Sequence, residues 1–216
     1  MEQEISNLSQ GDPVSSRPTQ EARRRQILDA ACDCARRSGF HGASMAEIAQ
    51  AAGMSVGQIY RHFENKEAII AAIVERDGEA MREKFSQMET FGGRLCEEIV
   101  DACGRAVGPN YDPERTALML EMLAEAARNP QVGATLQAAD AKERGYKLRL
   151  LRQASAPGCS DRELIARGEA LSMLFEGMAV RSVNNPDSDK AAICEVVRDL
   201  VRHLLSRPCT AHSPAE

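Results

Sequence analysis

From residue 19 to residue 205 the apolar positions recur at three- and four-residue spacing, and no segment sustains the alternation of a strand. The pattern predicts an all-α fold of about nine helices. A first helix runs from about Thr19 to Ser38, with Ile27, Leu28, Ala31 and Ala35 on one stripe, and stops at Gly39. Ser44 and Glu47 then form a capping box, the hydroxyl taking the third helical N–H and the carboxylate reaching back to the cap. It opens a short helix through Ile48, Ala49 and Ala52 that ends at Gly53. Ser55 and Gln58 make a second box, opening a third helix to about His62, and Asn65 caps a fourth that runs to about Met88.

Longer helices follow. They are predicted over about 93–107, from Asp112-Pro113 to Arg128, over about 131–154, over 161–182 behind the cap Ser160, and over about 188–205. Residues 1–18 carry two prolines and no periodicity and are expected to be a flexible arm; residues 206–216 are expected to be a disordered tail. The domains so predicted are a head over 19–66 and a body over 67–205.

Composition narrows this picture. A chain of 216 residues can bury a sizeable core, and a charged share of 27% excludes global disorder. The longest apolar run, Ala68 to Val74, is seven residues, far short of the roughly 20 that span a bilayer. The polar, acidic N-terminus lacks the apolar core of a secretory leader, so a cytoplasmic location without a membrane partner is expected. The seven cysteines, at 32, 34, 96, 103, 159, 194 and 209, form no C-x-x-C and are expected to be plain thiols in a reducing compartment. The net charge of −5 conceals an asymmetry: residues 17–66 carry eight basic and five acidic side chains. A mildly basic head on an acidic body suits nucleic-acid binding.

The segment SMAEIAQAAGMSVGQIYRHF, residues 44–63, reads as a helix-turn-helix. Ala49 is small where two helices cross, Gly53 supplies the positive φ of the sharp turn, and Ile48, Ala52, Met54 and Ile59 fix the second helix against the first. Such a second helix presents its N-terminal residues to the major groove.

Together with RRRQILDAA at 23–31, GF at 39–40 and NKEAII at 65–70, this segment resembles the DNA-binding domain of the TetR family of one-component transcriptional regulators. The resemblance implies a DNA face made of Ser44, Met45, Ser55, Val56, Gly57, Gln58, Tyr60, Arg61, His62 and Lys66. The chemistry agrees. Capping serines at helix starts and Lys66 suit phosphate, Gln58 can pair with adenine, and Gly57 permits close backbone approach. Each also has a purely structural use: the serines cap any helix, Gln58 completes its box, and His62 can pack on the fourth helix.

The resemblance further implies a body that binds a small-molecule effector and pairs with a second copy through its last two helices. Leu164, Gly168, Leu171, Phe175 and Met178 form one stripe there, and Ile193, Val197, Leu200, Val201 and Leu204 another. Leu118, Glu121, Met122 and Glu125 share a helix face, which suggests a pocket for a lipophilic cation such as a drug or biocide, with Phe175 and Met178 as further lining. An opposing clue is that residues 117–132 and 40–45 resemble the branch of the family that represses bacterial β-glucuronidase genes. That likeness implies an anionic sugar conjugate, held by Arg149 or Arg181.

The implied function is a homodimeric regulator of double-stranded operator DNA, a repressor released by its effector; an activator is the alternative sense. No cofactor or metal is expected. No P-loop, G-x-G-x-x-G, H-E-x-x-H or G-x-S-x-G occurs, which argues against an enzyme.

Overall fold

The computed structural model describes residues 19–209; the expected arm and the tail beyond Cys209 lie outside the described residues. Within them the chain is all-α. Its helices are α1 (Gln20–Gly42), α2 (Met45–Ala51), α3 (Val56–Tyr60), α4 (Lys66–Glu89), α5 (Leu95–Asn110), α6 (Pro113–Arg128), α7 (Pro130–Ala154), α8 (Asp161–Asn184) and α9 (Lys190–Ser206), with a short 3₁₀ turn at Gly92–Arg94.

Side-chain caps set most of the helix starts. Thr19, Asn65, Asp112, Asn129, Ser160 and Asp189 each accept from a backbone N–H of the first turn, and Pro113 and Pro130 take the position whose N–H has no partner in any helix. At Gly39 the backbone turns to φ +73° and ψ 157°, which interrupts α1. One more turn follows the interruption, and it drives Phe40 into the core. α5 runs on to Asn110 because Pro109 sits in its last turn, where the ring only ends the ladder.

Two apolar cores result. The first joins α1 to α4 through Ile27, Ala31, Phe40, Ile48, Ile59, Phe63, Ile69 and Ile73. It also takes Val132 of α7 as a buried member, with Leu118, Met122 and Leu136 packed against it. The head therefore shares its core with α6 and the start of α7. The second core joins α5, α7, α8 and α9 through Leu95, Val100, Val107, Leu151, Leu164, Met178, Val197, Val201 and Leu205.

Three expectations need correction. First, most of the two stripes assigned to a partner face inward. Leu164, Gly168, Met178, Val197 and Val201 are buried within the chain, and Leu171, Phe175 and Ile193 pack against the same core. Gly168 leaves room for Leu151, whose Cδ1 would stand 3.4 Å from a Cβ there. The outward apolar positions are instead Ile165, Met173, Val180 and Val183 of α8 with Val196 and Leu200 of α9, of which only Leu200 belonged to the expected stripes. A period of 3.6 names a stripe but not what lies opposite it.

Second, α9 includes Ser206, and Arg207 just beyond it is held. Arg167 of α8, buried to 5% exposure, donates to the carbonyls of Leu204 and Arg207 at 2.8 and 2.9 Å. Third, two cysteines are not free thiols: Cys159 and Cys209 form a disulfide across 50 residues of sequence.

Candidate nucleic-acid interface

The helix-turn-helix is built as its residues require. Gly53 adopts φ +63° and the Met54 N–H donates back to Ala49 at 2.9 Å, closing the turn between α2 and α3. Ala49 is buried where a larger side chain would hold the two helices apart. Both capping boxes form. Ser44 Oγ accepts from the Glu47 N–H at 3.2 Å while Glu47 Oε2 accepts from the Ser44 N–H at 2.7 Å. Ser55 Oγ accepts from the Gln58 N–H at 3.3 Å while Gln58 Oε1 accepts from the Ser55 N–H at 2.8 Å. The bonds from Ser44 hold the Glu47 carboxyl below its ordinary range.

α3 turns Ile59 inward and everything else outward. Ser55, Val56, Gly57, Gln58, Tyr60 and Arg61 are all exposed, so the helix offers one continuous, largely polar face. A Cβ at Gly57 would meet nothing within 4 Å, leaving a flat approach to the backbone. Ser44 is exposed beside this face, whereas Met45 is half-buried and packs on the head core.

Two predicted residues are engaged differently. The Lys66 ammonium donates to the carbonyls of Phe40 and His41, closing the turn that follows Gly39. His62 is half-buried; its carbonyl accepts from Arg24 at 3.1 Å, and its Nδ1 is buried with no hydrogen-bond partner.

Several residues that position this face carried no sequence signal of their own. Arg24 holds the His62 carbonyl and lays its guanidinium 4.3 Å above the Phe63 ring, bracing the chain after α3. Gln26 Nε2 donates to the Ala52 carbonyl at 2.7 Å, satisfying the end of α2. Arg76 of α4 reaches Asp29 of α1 at 2.9 Å. The RRR run at 23–25 marked Arg24 as basic but not as a brace, because its partner is a backbone carbonyl 38 residues away.

The residues assigned to an effector pocket do not converge. Leu118 and Met122 pack on the head core. Glu121 lies against Gly39, where an added Cβ would stand 2.7 Å from Oε2. Glu125 is buried and pairs with Arg128 at 3.4 Å. Phe175 and Met178 belong to the second core. Arg149 is exposed, pairs with Glu89 at 3.3 Å and covers the Tyr146 ring at 4.8 Å. A cleft of about 480 Å³ lies elsewhere, in the head, between Arg24, His62, Phe63 and Ala72.

A three-helix head with an exposed second helix, carried by α4 on a larger helical body, defines a helix-turn-helix DNA-binding regulator. Comparison with known proteins gives the family. The model of bacterial regulatory proteins of the tetR family matches residues 27–73, and that of the tetracyclin repressor-like C-terminal domain matches residues 93–207. The chain belongs to the TetR family, whose members are transcription regulators that act on DNA and are not enzymes.

Among curated relatives, the HTH-type transcriptional regulator UidR of Escherichia coli K12 is 38% identical over 117 residues, 53% of this chain and 57% of UidR. The HTH-type transcriptional repressor Rv1474c of Mycobacterium tuberculosis is 42% identical over 71 residues, 33% of this chain and 38% of that protein. The aligned part thus spans little more than half of the first relative and less of the second. Among solved structures, Salmonella enterica GusR superposes with a TM-score of 0.68 at 26% identity, over 87% of this chain and 97% of GusR. No helix among the described residues is long and apolar enough to cross a membrane.

Proposed function

We propose that this chain is a cytoplasmic homodimeric repressor that holds a near-palindromic operator and releases it on binding a small molecule in the body. The observation that carries this reading is the shared core. Val132 of α7 is as buried among head residues as the head's own side chains, and Leu118 and Met122 of α6 pack beside it. Asn129, at the α6–α7 junction, donates to Glu67 of α4 at 3.1 Å. A ligand that displaces α6 or α7 therefore displaces the head.

In the proposed complex, α3 enters the major groove with Gln58 and Tyr60 foremost, and Ser44, Ser55 and Arg61 take phosphates. Val56 and Gly57 line the approach, and Met45, His62 and Lys66 support it from the edge. Gln58 must release its capping bond to read an adenine. The outward apolar positions on α8 and α9 pair with a second copy. Both heads then read the same DNA face when they stand about one helical turn apart, roughly 34–36 Å.

For the effector, the carboxylates that a cation would need are already engaged, Glu121 at Gly39 and Glu125 at Arg128. Arg149 is engaged likewise by Glu89, but Arg181 pairs with no carboxylate among the described residues, which favours the anionic sugar conjugate over the lipophilic cation. The test is fluorescence anisotropy of the protein on DNA upstream of its own gene, titrated with an aryl glucuronide and, separately, with a quaternary ammonium compound. Release by the glucuronide alone supports the reading. Release by the cation alone restores the opposite assignment, and an operator affinity unchanged within about twofold by either excludes both effector classes.

A further inference from the structure

We propose that Cys159 and Cys209 form a reversible thiol–disulfide couple oxidised by hydroperoxides, with Cys209 as the attacking thiol and Arg167 as the group that activates it. Cys159 lies in the loop between α7 and α8, and Cys209 lies three residues beyond the end of α9. Their Cα atoms are 5.0 Å apart, a separation that a disulfide spans without moving either backbone. Both side chains are half-buried, within reach of a small solute.

Arg167 gives the pair its asymmetry. Its guanidinium donates to the Leu204 and Arg207 carbonyls, to Glu163 Oε1 at 2.9 Å and to Cys209 Sγ at 3.5 Å. When the disulfide is reduced, that cation stands beside the Cys209 sulfur in a setting screened from water, which favours the thiolate. Among the described residues no side chain donates to Cys159 Sγ. The other cysteines suit the chemistry less. Cys32 and Cys34 are buried, burial pushes the Cys103 thiol up to about 11, and Cys194 already donates to the Gly104 carbonyl.

The step balances as written. The Cys209 thiolate attacks the distal oxygen of the hydroperoxide, the O–O bond breaks, and the departing alkoxide takes a proton to become an alcohol. The Cys159 thiol then loses its proton, and its sulfur attacks the sulfur of the Cys209 sulfenic acid, breaking its S–O bond, forming the S–S bond and expelling hydroxide, which takes that proton and leaves as water. Two thiols lose two electrons and one hydroperoxide is reduced. A dithiol returns the couple by exchange. The oxidised bond fixes the end of α9 to the α7–α8 loop, around the contacts that Arg167 already makes. Because α9 also carries Val196 and Leu200, the redox state bears on the proposed pairing face, a consequence that rests on the dimer reading above.

The experiment uses the full chain, reduced with dithiothreitol and treated with tert-butyl hydroperoxide, followed by alkylation and peptide mapping. The expected result is loss of two alkylatable thiols, recovered as one Cys159–Cys209 peptide, with a melting temperature several degrees higher. Cys159→Ser should trap a dimedone-reactive sulfenate on Cys209, whereas Cys209→Ser should leave Cys159 unmodified at the same dose. Arg167→Lys, checked for folding by circular dichroism, should slow oxidation of Cys209 several-fold. A sulfenate that forms on Cys159 at the wild-type rate overturns the assignment of the attacking thiol, whether or not the Arg167 variant folds. A disulfide that resists dithiothreitol in the folded protein makes the bond a permanent staple and overturns reversibility.

Discussion

At the scale of single residues, Gly39 and Tyr60 show opposite kinds of constraint. Gly39 sits at φ +73°, ψ 157°, a conformation that side chains other than glycine rarely adopt, with Glu121 at the place a Cβ would occupy. Gly39→Ala should cost about 1–3 kcal/mol in a denaturant melt, from backbone strain and displacement of Glu121 together. Tyr60 is half exposed, and its hydroxyl makes no hydrogen bond among the described residues. Tyr60→Ala should leave the melt and the particle mass unchanged while weakening operator binding about tenfold, the size of one hydrogen bond to a charged phosphate. Sequence reasoning separated these two only in part. The glycine was legible as a helix stop, but its contact with Glu121, more than eighty residues away, leaves no local pattern.

At the scale of elements, the caps made the fold readable. Every helix start rests on a Ser, Thr, Asn or Asp whose hydrogen bond is local, except α5, which follows a 3₁₀ turn and has no side-chain cap. Its expected start, at 93, lies two residues early, as does that of α9, at 188, despite the Asp189 cap. Ser44→Ala should remove the α2 cap at a cost of about 0.5–2 kcal/mol, read by thermal or denaturant unfolding. Its partner Glu47 adds a pH dependence. The folded-state carboxyl lies below its ordinary value, so its contribution is fully present above the unfolded value and is lost as pH falls through the folded one. Glu47→Gln should flatten that acid limb, measured as stability against pH, because the amide oxygen accepts the same bond without titrating. The facing of α8 and α9 was not legible for the opposite reason: each carries apolar residues on more than one side, and only tertiary packing says which side is spent inside the chain.

At the scale of the whole molecule, the packing separates two uses of apolar surface. Leu164 is almost fully buried between helices of one chain, and Leu164→Ala should cost about 2–5 kcal/mol. Leu200 is half exposed, so Leu200→Glu should leave the monomer's melt nearly unchanged while dissociating the proposed dimer, as seen by light scattering. The disulfide belongs to this scale as well, since its cysteines meet only after α8 and α9 have packed, and a spacing of 50 residues gives no sign of pairing. The family was readable because its signature sits close together in sequence, within residues 23–70. The effector pocket was not, since residues on one face of α6 were spent on the head instead. That sharing of one core between head and body is what makes the head's position depend on α6 and α7.

The central claim is that the exposed face of α3 reads operator DNA, and one measurement tests it most directly. Binding of the purified protein to DNA upstream of its own gene would be followed by fluorescence anisotropy at several salt concentrations, against unlabelled competitor, for the wild type and for Tyr60→Ala. The account predicts binding that resists competitor, weakens linearly in log affinity with log salt, and falls in the variant without loss of its folded signal. Equal affinity of the two proteins across the salt series would contradict it.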